Sequence, residues 1–326
     1  MLVLSRDDVA ELLDRDALRT AVGDAMAEVS AGRVSMPPRV GAFSDDPTGV
    51  MAVMPAYVPA LRAMATKIVN VFPANAGTGL DTHQAIVLLV DPQTGEFLAM
   101  LDGDSITAER TAAGSALSTE LMARPDARVL AIIGTGVQAR SHALAVVRTR
   151  NFAEMRIAGR DAEKSAALAA ALDPLVDVPV HSTAINEACR GADVVCATTD
   201  AHEPVVRREW FSPGTHITSV GFSAGGPEID PSTVADATLV VESRATAFAP
   251  YPVGSHDLAR PLADGLIDED HVAAEIGELV AGAAFDRRNA GITLYKSAGV
   301  AAQDVAAAKL LFDAAIAQGV GTTIER

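Results

Sequence analysis

A glycine turn and three cations give this chain the means to hold a phosphate and an anionic substrate. The apolar run Val129–Ile133 leads straight into Gly134-Thr135-Gly136-Val137-Gln138-Ala139, and a helical pattern follows. In such a turn the first glycine permits the tight reversal from strand to helix. The second lets the backbone approach a pyrophosphate, and the small Ala139 lets the helix pack close to the strand, with the pyrophosphate on the free N–H groups of the first helical turn. A strand before the turn, and a helix and second strand after it, make the pattern a dinucleotide fingerprint. Gly134, Thr135, Gly136, Val137 and Gln138 are therefore expected to cradle the cofactor.

The end of the next strand selects the nucleotide. An acid there would accept hydrogen bonds from a ribose 2′-hydroxyl and repel a 2′-phosphate. This chain instead reads Ile157-Ala158-Gly159-Arg160-Asp161. Gly159 stands where the acid is expected, and the planar fork of Arg160 suits phosphate. NADP(H) is favoured on this reading. NAD(H) is possible if Asp161 turns to the ribose; otherwise Asp161 caps the helix that starts at Ala162.

The cations are Arg39 in Met36-Pro-Pro-Arg39, Lys67 in Ala65-Thr-Lys67-Ile-Val-Asn70, and Arg110 in Thr107-Ala-Glu-Arg110-Thr111. Taken singly, each reads as a solvated or ion-paired surface residue. Lys67, however, interrupts an otherwise apolar strand, where burying an unpaired ammonium would be costly. The background makes such cations conspicuous, because the 326 residues carry a formal net charge of −16. A surface that acidic repels phosphate backbones and anionic membranes, which argues against nucleic acid or a membrane as partner. An anionic substrate must be gathered locally by particular Arg and Lys side chains.

Aromatic residues are only 4% of the chain, so the core that positions these groups is built from Ala, Val, Leu and Ile. Leu2–Leu4 reads as a strand, and Ser5 caps a helix continuing to about Val29. Val50–Pro55, Leu61–Val71, Ala85–Val90 and Phe97–Leu101 read as an antiparallel meander, and Ser105–Met122 as a long Ala-rich helix. From Arg128 onward strands and helices alternate, the pattern of a parallel sheet with helices on both faces. The tail, Ala298–Gln318, is helical again. The expected fold class is α/β: a Rossmann-type doubly wound sheet (120–299) plus an α+β substrate and dimerisation domain (1–119 with 300–326). Cys189 and Cys196 lack metal-ligand spacing and read as buried apolar residues, so no metal is expected. The opening residues do not form a signal peptide and no stretch has about 20 uninterrupted apolar residues, so the cytoplasm is the expected compartment.

The chain resembles the ornithine cyclodeaminase/mu-crystallin family over nearly its full length. The carriers are Lys67-Ile-Val-Asn70 with Pro73 and Asn75, Asp81-Thr-His83-Gln84, Asp102-Gly103 and Ile106-Thr107-Ala-Glu-Arg110-Thr111. They continue through the glycine turn, Gly191-Ala-Asp193, Pro213-Gly214-Thr-His216 and Lys296-Ser297-Ala-Gly299 to Asp304. The resemblance implies a homodimer joined through the first domains, with substrate between them and the nicotinamide. It implies that Arg39, Lys67 and Arg110 hold the substrate carboxylate and that Lys67 gives a proton to the substrate nitrogen. Thr111, Thr198, Thr199 and Lys296 would join the cofactor site.

One departure narrows the chemistry. Cyclodeaminases and amino-acid dehydrogenases of the family carry an aspartate where Val220-Gly221-Phe222-Ser223 has Ser223. Oxidising an amino acid requires a base or anion near the amine, which a hydroxyl supplies poorly. Ser223 would instead contact an imine nitrogen or the nicotinamide amide. The expected activity is reduction of a small cyclic or linear imino acid, such as pyrroline-2-carboxylate or piperideine-2-carboxylate, to an L-amino acid. An ornithine cyclodeaminase or L-amino-acid dehydrogenase, and a protein that holds nucleotide and small acid without turnover, are the alternatives. Asp230, before Pro231, reads as a cap or turn residue, against an indirect role at the site.

Overall fold

The computed structural model describes residues 1–45, 49–221, 225–250, 253–287 and 291–325. It divides into two compact units, Met1–Arg110 with Val300–Arg326, and Thr111–Gly299. The division falls inside a helix, ahead of the position near residue 120 where the loop after that helix suggests a boundary.

The first unit opens with β1 (Leu2–Leu4), α1 (Arg6–Leu12) and α2 (Arg15–Ser30). The apolar periodicity predicts one helix here, but the chain breaks at Leu13-Asp14. Asp14 leaves the helical region and its carboxylate accepts from the Asp16 and Ala17 N–H groups, capping a fresh helix. Then follow β2 (Val40–Phe43), β3 (Val50–Val58), β4 (Ala63–Val71), β5 (His83–Val90), β6 (Phe97–Asp102) and α3 (Gly103–Met122). Strands β3 to β6 pair antiparallel in sequence order, the expected meander.

The second unit begins within α3 and continues through β7 (Val129–Ile133), α4 (Val137–Val146), β8 (Glu154–Ala158), α5 (Ala162–Leu172), β9 (Val180–Ser182), α6 (Ile185–Cys189) and β10 (Val194–Ala197). After β11 (His216–Ser219) come α7 (Pro231–Asp236), β12 (Ala237–Val241), α8 (Arg244–Ala247), α9 (His256–Ala263), β13 (Val272–Glu275), α10 (Ile276–Val280) and β14 (Ile292–Lys296). The eight strands form one parallel sheet in the order β13-β12-β14-β11-β10-β7-β8-β9. Its two faces are both covered. Leu130 and Ile132 pack into one core with Ala139, Ala143 and Val146 of α4. Ala131 and Ile133 point the other way, into a core with Ala188, Ile217 and Leu294. Strands buried on both faces read as continuous apolar runs, which is how β7 stands out in the sequence. The order reverses direction between β7 and β10, and the crevice above that switch point is where such sheets bind nucleotides.

The tail returns to the first unit as α11 (Ala301–Gln318) and β15 (Thr322–Thr323), completing a seven-stranded sheet β15-β1-β6-β5-β4-β3-β2. One face of that sheet is packed and includes Ala52, Met54, Ala65, Lys67, Val87 and Leu89. The alternate residues form a second face, largely apolar and half-buried to exposed: Val53, Tyr57, Met64, Ile68, Ile86, Leu88 and Met100.

Candidate active site

In the first unit, α3 starts at Gly103 directly on the backbone of β5. A Cβ at Gly103 would stand 2.6 Å from the Ala85 carbonyl carbon, so glycine sets how closely the helix approaches the sheet. That approach brings Thr107 and Arg110, three apart on one helix face, toward Lys67 of β4. From the other side α11 contributes Gln303 and Asp304 in its first turn.

Lys67, Arg110 and Asp304 are 2%, 4% and 1% exposed, so three charges share a desolvated space. Asp304 Oδ1 accepts from Lys67 Nζ at 3.2 Å and from Arg110 Nε at 3.0 Å. Lys67 Nζ also donates to Thr107 Oγ1 at 3.2 Å, and Arg110 Nη1 donates to Gln303 Oε1 at 2.8 Å. Burial pushes the Lys67 ammonium down to about 8; Asp304 opposes the fall, while the charges of Arg110 and Arg39 deepen it. Arg39 is half-buried and acts on Lys67 by its charge. The three cations named from the sequence therefore act on one another within one unit. After these bonds one Lys67 N–H and the Nη2 amino group of Arg110 have no protein partner among the described residues. These are the donors a carboxylate needs.

Asp304 and Gln303 were missed as site residues, although Asp304 closes a motif quoted above. The available signal was a Gln-Asp pair in an otherwise apolar helical run, Val300-Ala-Ala-Gln303-Asp304-Val-Ala-Ala-Ala308. A carboxylate buried in such a helix must have a cation beside it. His83 pairs with Asp104 at 2.7 Å (Nδ1 to Oδ1) and is a hydrogen-bonded surface histidine.

In the second unit the fingerprint residues lie at the carboxyl end of the parallel sheet. Gly134 has φ 129°, and a Cβ there would stand 2.5 Å from Thr198 Oγ1 at the end of neighbouring β10. Thr198, 8% exposed, donates its hydroxyl to the Ile133 carbonyl at 2.8 Å, so it buttresses the turn. Gly136 is the N-cap of α4 without a side-chain cap, and a Cβ there would meet nothing within 4 Å. The helix N-terminus is open, as a pyrophosphate requires. Thr135 is half-buried, Val137 is exposed and Thr111 is buried. Gln138 is half-buried, and its Oε1 is buried without a hydrogen-bond partner, an acceptor waiting beside the turn. These features fit a dinucleotide.

At the end of β8, a Cβ at Gly159 would stand 2.8 Å from Thr135 Cγ2, so a side chain there would have to push the threonine aside. Arg160 is exposed. Asp161 caps α5, accepting from the Glu163 and Lys164 N–H groups. Asp230 likewise caps α7.

Beyond β10, β11 and β14 lies a buried polar network. Glu228 accepts from Thr199 Oγ1 at 2.8 Å and from Ser219 Oγ and the Gly221 N–H, both at 2.9 Å. Asp257 Oδ1 accepts from the Glu228 and Ile229 N–H groups, and its Oδ2 lies 2.7 Å from Lys296 Nζ. Lys296 also donates to Ser219 Oγ and the Gly221 carbonyl, so its three N–H donors are engaged within the protein. Burial raises the Glu228 carboxyl, and nearby Asp257 adds to this against the pull of Lys296. Burial also works to raise Asp257, but the adjacent Lys296 outweighs it and holds that carboxyl low. Thr199 and Lys296 thus tie together the strand ends that frame the crevice. Ser223 lies outside the described residues. Among the described residues no cluster of metal-binding side chains occurs, and no helix is long and apolar enough to cross a membrane.

Comparison with known proteins agrees with this arrangement. Mouse ketimine reductase mu-crystallin is 39% identical over 266 residues, 81% of this chain and 80% of its own length. The structure of Thermococcus litoralis Delta(1)-pyrroline-2-carboxylate reductase in complex with NADH and L-proline superposes with a TM-score of 0.94 at 35% identity, covering 99% of this chain and 100% of that one. An archaeal alanine dehydrogenase dimer with bound NAD gives a TM-score of 0.91 at 30% identity, covering 100% and 99%. Residues 1–319 match one family description throughout. This chain belongs to the ornithine cyclodeaminase/mu-crystallin family.

Proposed function

We propose that this chain reduces a small cyclic or linear imino acid, such as pyrroline-2-carboxylate or piperideine-2-carboxylate, to the L-amino acid with a nicotinamide nucleotide. The observation that carries this reading is the buried Lys67–Asp304–Arg110 cluster with its spare donors. It is built to hold a carboxylate and to keep a proton on a lysine whose pKa is near 8.

When bound, the nucleotide supplies the hydride. The Nη2 group of Arg110, together with Arg39, grips the substrate carboxylate, and that grip fixes the adjacent imine carbon. Lys67, protonated at neutral pH, delivers the proton that the imine nitrogen gains. The backbone at Gly134 to Gln138 holds the pyrophosphate. Lys296, Asp257 and Glu228 hold together the strand ends that would frame the nucleotide.

The finer cofactor reading is NADP(H), with NAD(H) also accepted. Support comes from the side-chain-free Gly159, the exposed Arg160 beside it, and the engagement of Asp161 as a helix cap. The solved relatives named above carry NADH or NAD, and they set the comparison. The protein acts as a homodimer joined through the open apolar face of the first unit's sheet. A surface of that kind calls for a partner, and the archaeal relative is a dimer. The cytoplasm suits its two free, buried thiols, Cys189 and Cys196.

The test mixes purified protein with NADPH or NADH and pyrroline-2-carboxylate, piperideine-2-carboxylate, L-ornithine or L-alanine. Loss of reduced nucleotide with the imines is the expected result. Release of ammonia from ornithine, or no turnover with any imine, overturns the reading.

A further inference from the structure

We infer that Asp304 is the positioning residue of the carboxylate clamp: its Oδ1 fixes the Lys67 ammonium and the Arg110 guanidinium together and keeps Lys67 charged. The inference rests on the imine-reductase reading and extends it to a residue outside the set that grips substrate.

The geometry is particular. One oxygen of one buried carboxylate serves two cations on two other elements, Lys67 on β4 and Arg110 on α3. Without it two buried cations, with the half-buried Arg39 nearby, would repel one another in a desolvated space with no anion to offset them. Asp304 accepts from Arg110 Nε while Gln303 accepts from Nη1, so the guanidinium is held on two sides and its Nη2 group is left without a protein partner among the described residues. Asp304 also takes one of the three Lys67 protons, while Thr107 takes another. A single N–H is thereby left for the substrate. A lone acidic residue gives the same alignment whichever carboxylate arrives, which is what a clamp needs before substrate binds.

The charges facing Lys67 can be traced element by element. On β3 the residue opposite Lys67 is Met54, and the strand's one ionisable side chain, Tyr57, belongs to the other face of the sheet. On β5 the opposite residue is Val87, and His83 at the strand's start is turned to Asp104. On α3, Glu109 is held by Arg15 of α2, leaving Arg110 toward Lys67. On α11, Lys309 is paired with Asp313, leaving Asp304. Arg39 completes the set. Among the described residues Asp304 is thus the anion that opposes burial and two arginines at Lys67. Asp304 Oδ2, buried and without a partner, leaves the carboxylate capacity for one further donor in the loaded site.

Asp304→Asn keeps shape and removes charge. Its expected signature is a fall of the basic limb of the kcat/KM profile for pyrroline-2-carboxylate by about one pH unit or more, because an opposite charge at this range moves a pKa by about 1–3 units. Asp304→Glu, which keeps the charge but displaces it, should raise KM while leaving the limb where the wild type has it. A residue that merely supports the fold would lower activity with the limb unmoved in both variants. Circular dichroism melting and NADH fluorescence titration confirm that each variant is folded and that the second unit still binds nucleotide. If Asp304→Asn is folded but too slow to assay, calorimetric titration of the NAD(H)-loaded protein with L-proline across the same pH range reads the same ionisation. If it does not fold, Asp304→Glu decides by the split between KM and kcat: a raised KM with kcat, Tm and the limb unchanged supports the inference, and a fall of Tm or of kcat with KM unchanged overturns it. An inactive wild type strikes the imine-reductase reading; an active wild type whose limb Asp304→Asn leaves in place strikes the role of Asp304.

Discussion

Lys67 and Asp304 stand 237 positions apart in the chain and meet at 3.2 Å in a space from which water is almost wholly excluded. The proposed role of Lys67 as proton donor depends on the lysine keeping its proton there. Burial and two arginines push that proton off, Asp304 holds it on, and the balance falls at about 8.

The first prediction follows from the sign of that balance. Reduction of an imine needs the ammonium form, which is present below the folded-state pKa and lost as pH rises through it. The rate constant kcat/KM should therefore decline above about pH 8. Lys67→Met, similar in length but without charge, should cut kcat by about 10²–10⁴-fold, the usual contribution of a positioned acid. Steady-state kinetics from pH 6 to 10 check both points. An undiminished Lys67→Met enzyme removes Lys67 as proton donor.

How much of this was legible in the sequence depends on the range of each interaction. The glycine turn and its strand were readable because the whole device lies within Val129–Ala139, and β7, buried on both faces, has no polar alternation to confuse it. The cations were readable as oddities, Lys67 most of all. The partner that makes them a site was not, since no local pattern connects β4 to α11. The break at Asp14 was hidden because the apolar stripe runs on across it, while a single carboxylate restarts the helix.

Nucleotide choice is tested at the end of β8. An acid at Gly159 would have to displace the Thr135 methyl group 2.8 Å from its Cβ, so the cleaner change is one residue later. Arg160→Asp should move the ratio of kcat/KM values from NADPH toward NADH by at least about tenfold, as expected for exchanging attraction of a 2′-phosphate for repulsion. Equal ratios in wild type and variant would remove Arg160 from cofactor selection.

The two glycines of the fingerprint should separate folding from binding. Gly134→Ala combines φ 129° with a Cβ 2.5 Å from Thr198 Oγ1, and strain of this kind costs about 1–3 kcal/mol. It should lower Tm and weaken nucleotide binding together. Gly136→Ala has φ −89° and open space around its Cβ, so Tm should hold while nucleotide affinity falls because the backbone no longer comes close to the pyrophosphate. Thermal melts paired with fluorescence titration of NADH and NADPH distinguish them. Equal losses of Tm in both variants would contradict the assignment.

The open face of the first unit's sheet should lose its partner when charged. Ile68 and Ile86 lie opposite each other on β4 and β5, and Ile86 is 38% exposed. Ile68→Lys with Ile86→Lys places two ammonium groups at the centre of the apolar patch and, by symmetry, against the same pair of the second copy. Light scattering should give half the wild-type mass with an unchanged far-ultraviolet circular dichroism spectrum. A variant that keeps the wild-type mass would mean that copies join elsewhere.

Acid sensitivity has an identifiable source in the second unit. His142 and His216 are both fully buried, and burial lowers them to about 4 and about 3. Each is hydrogen-bonded as the neutral ring: His142 lies between the Gln138 carbonyl and Ser115 Oγ, and His216 between Thr293 and Ser118 hydroxyls. For His142 the Gln138 carbonyl partly offsets burial; for His216 the charge of Arg150 adds to it. In the unfolded chain a histidine takes its proton near pH 6.5, so between there and about pH 4 the unfolded state binds more protons than the folded one. Stability is then full above about 6.5 and falls as pH drops, by roughly 1.4 kcal/mol per pH unit for each histidine. His142→Gln keeps a polar group in place and removes one titration. Urea melts at pH 7, 6, 5 and 4.5 should show a shallower decline for the variant than for wild type, whatever the carboxylates contribute, because those are common to both. Parallel declines would mean that His142 does not bind its proton differentially, and that acid acts on this fold through other groups.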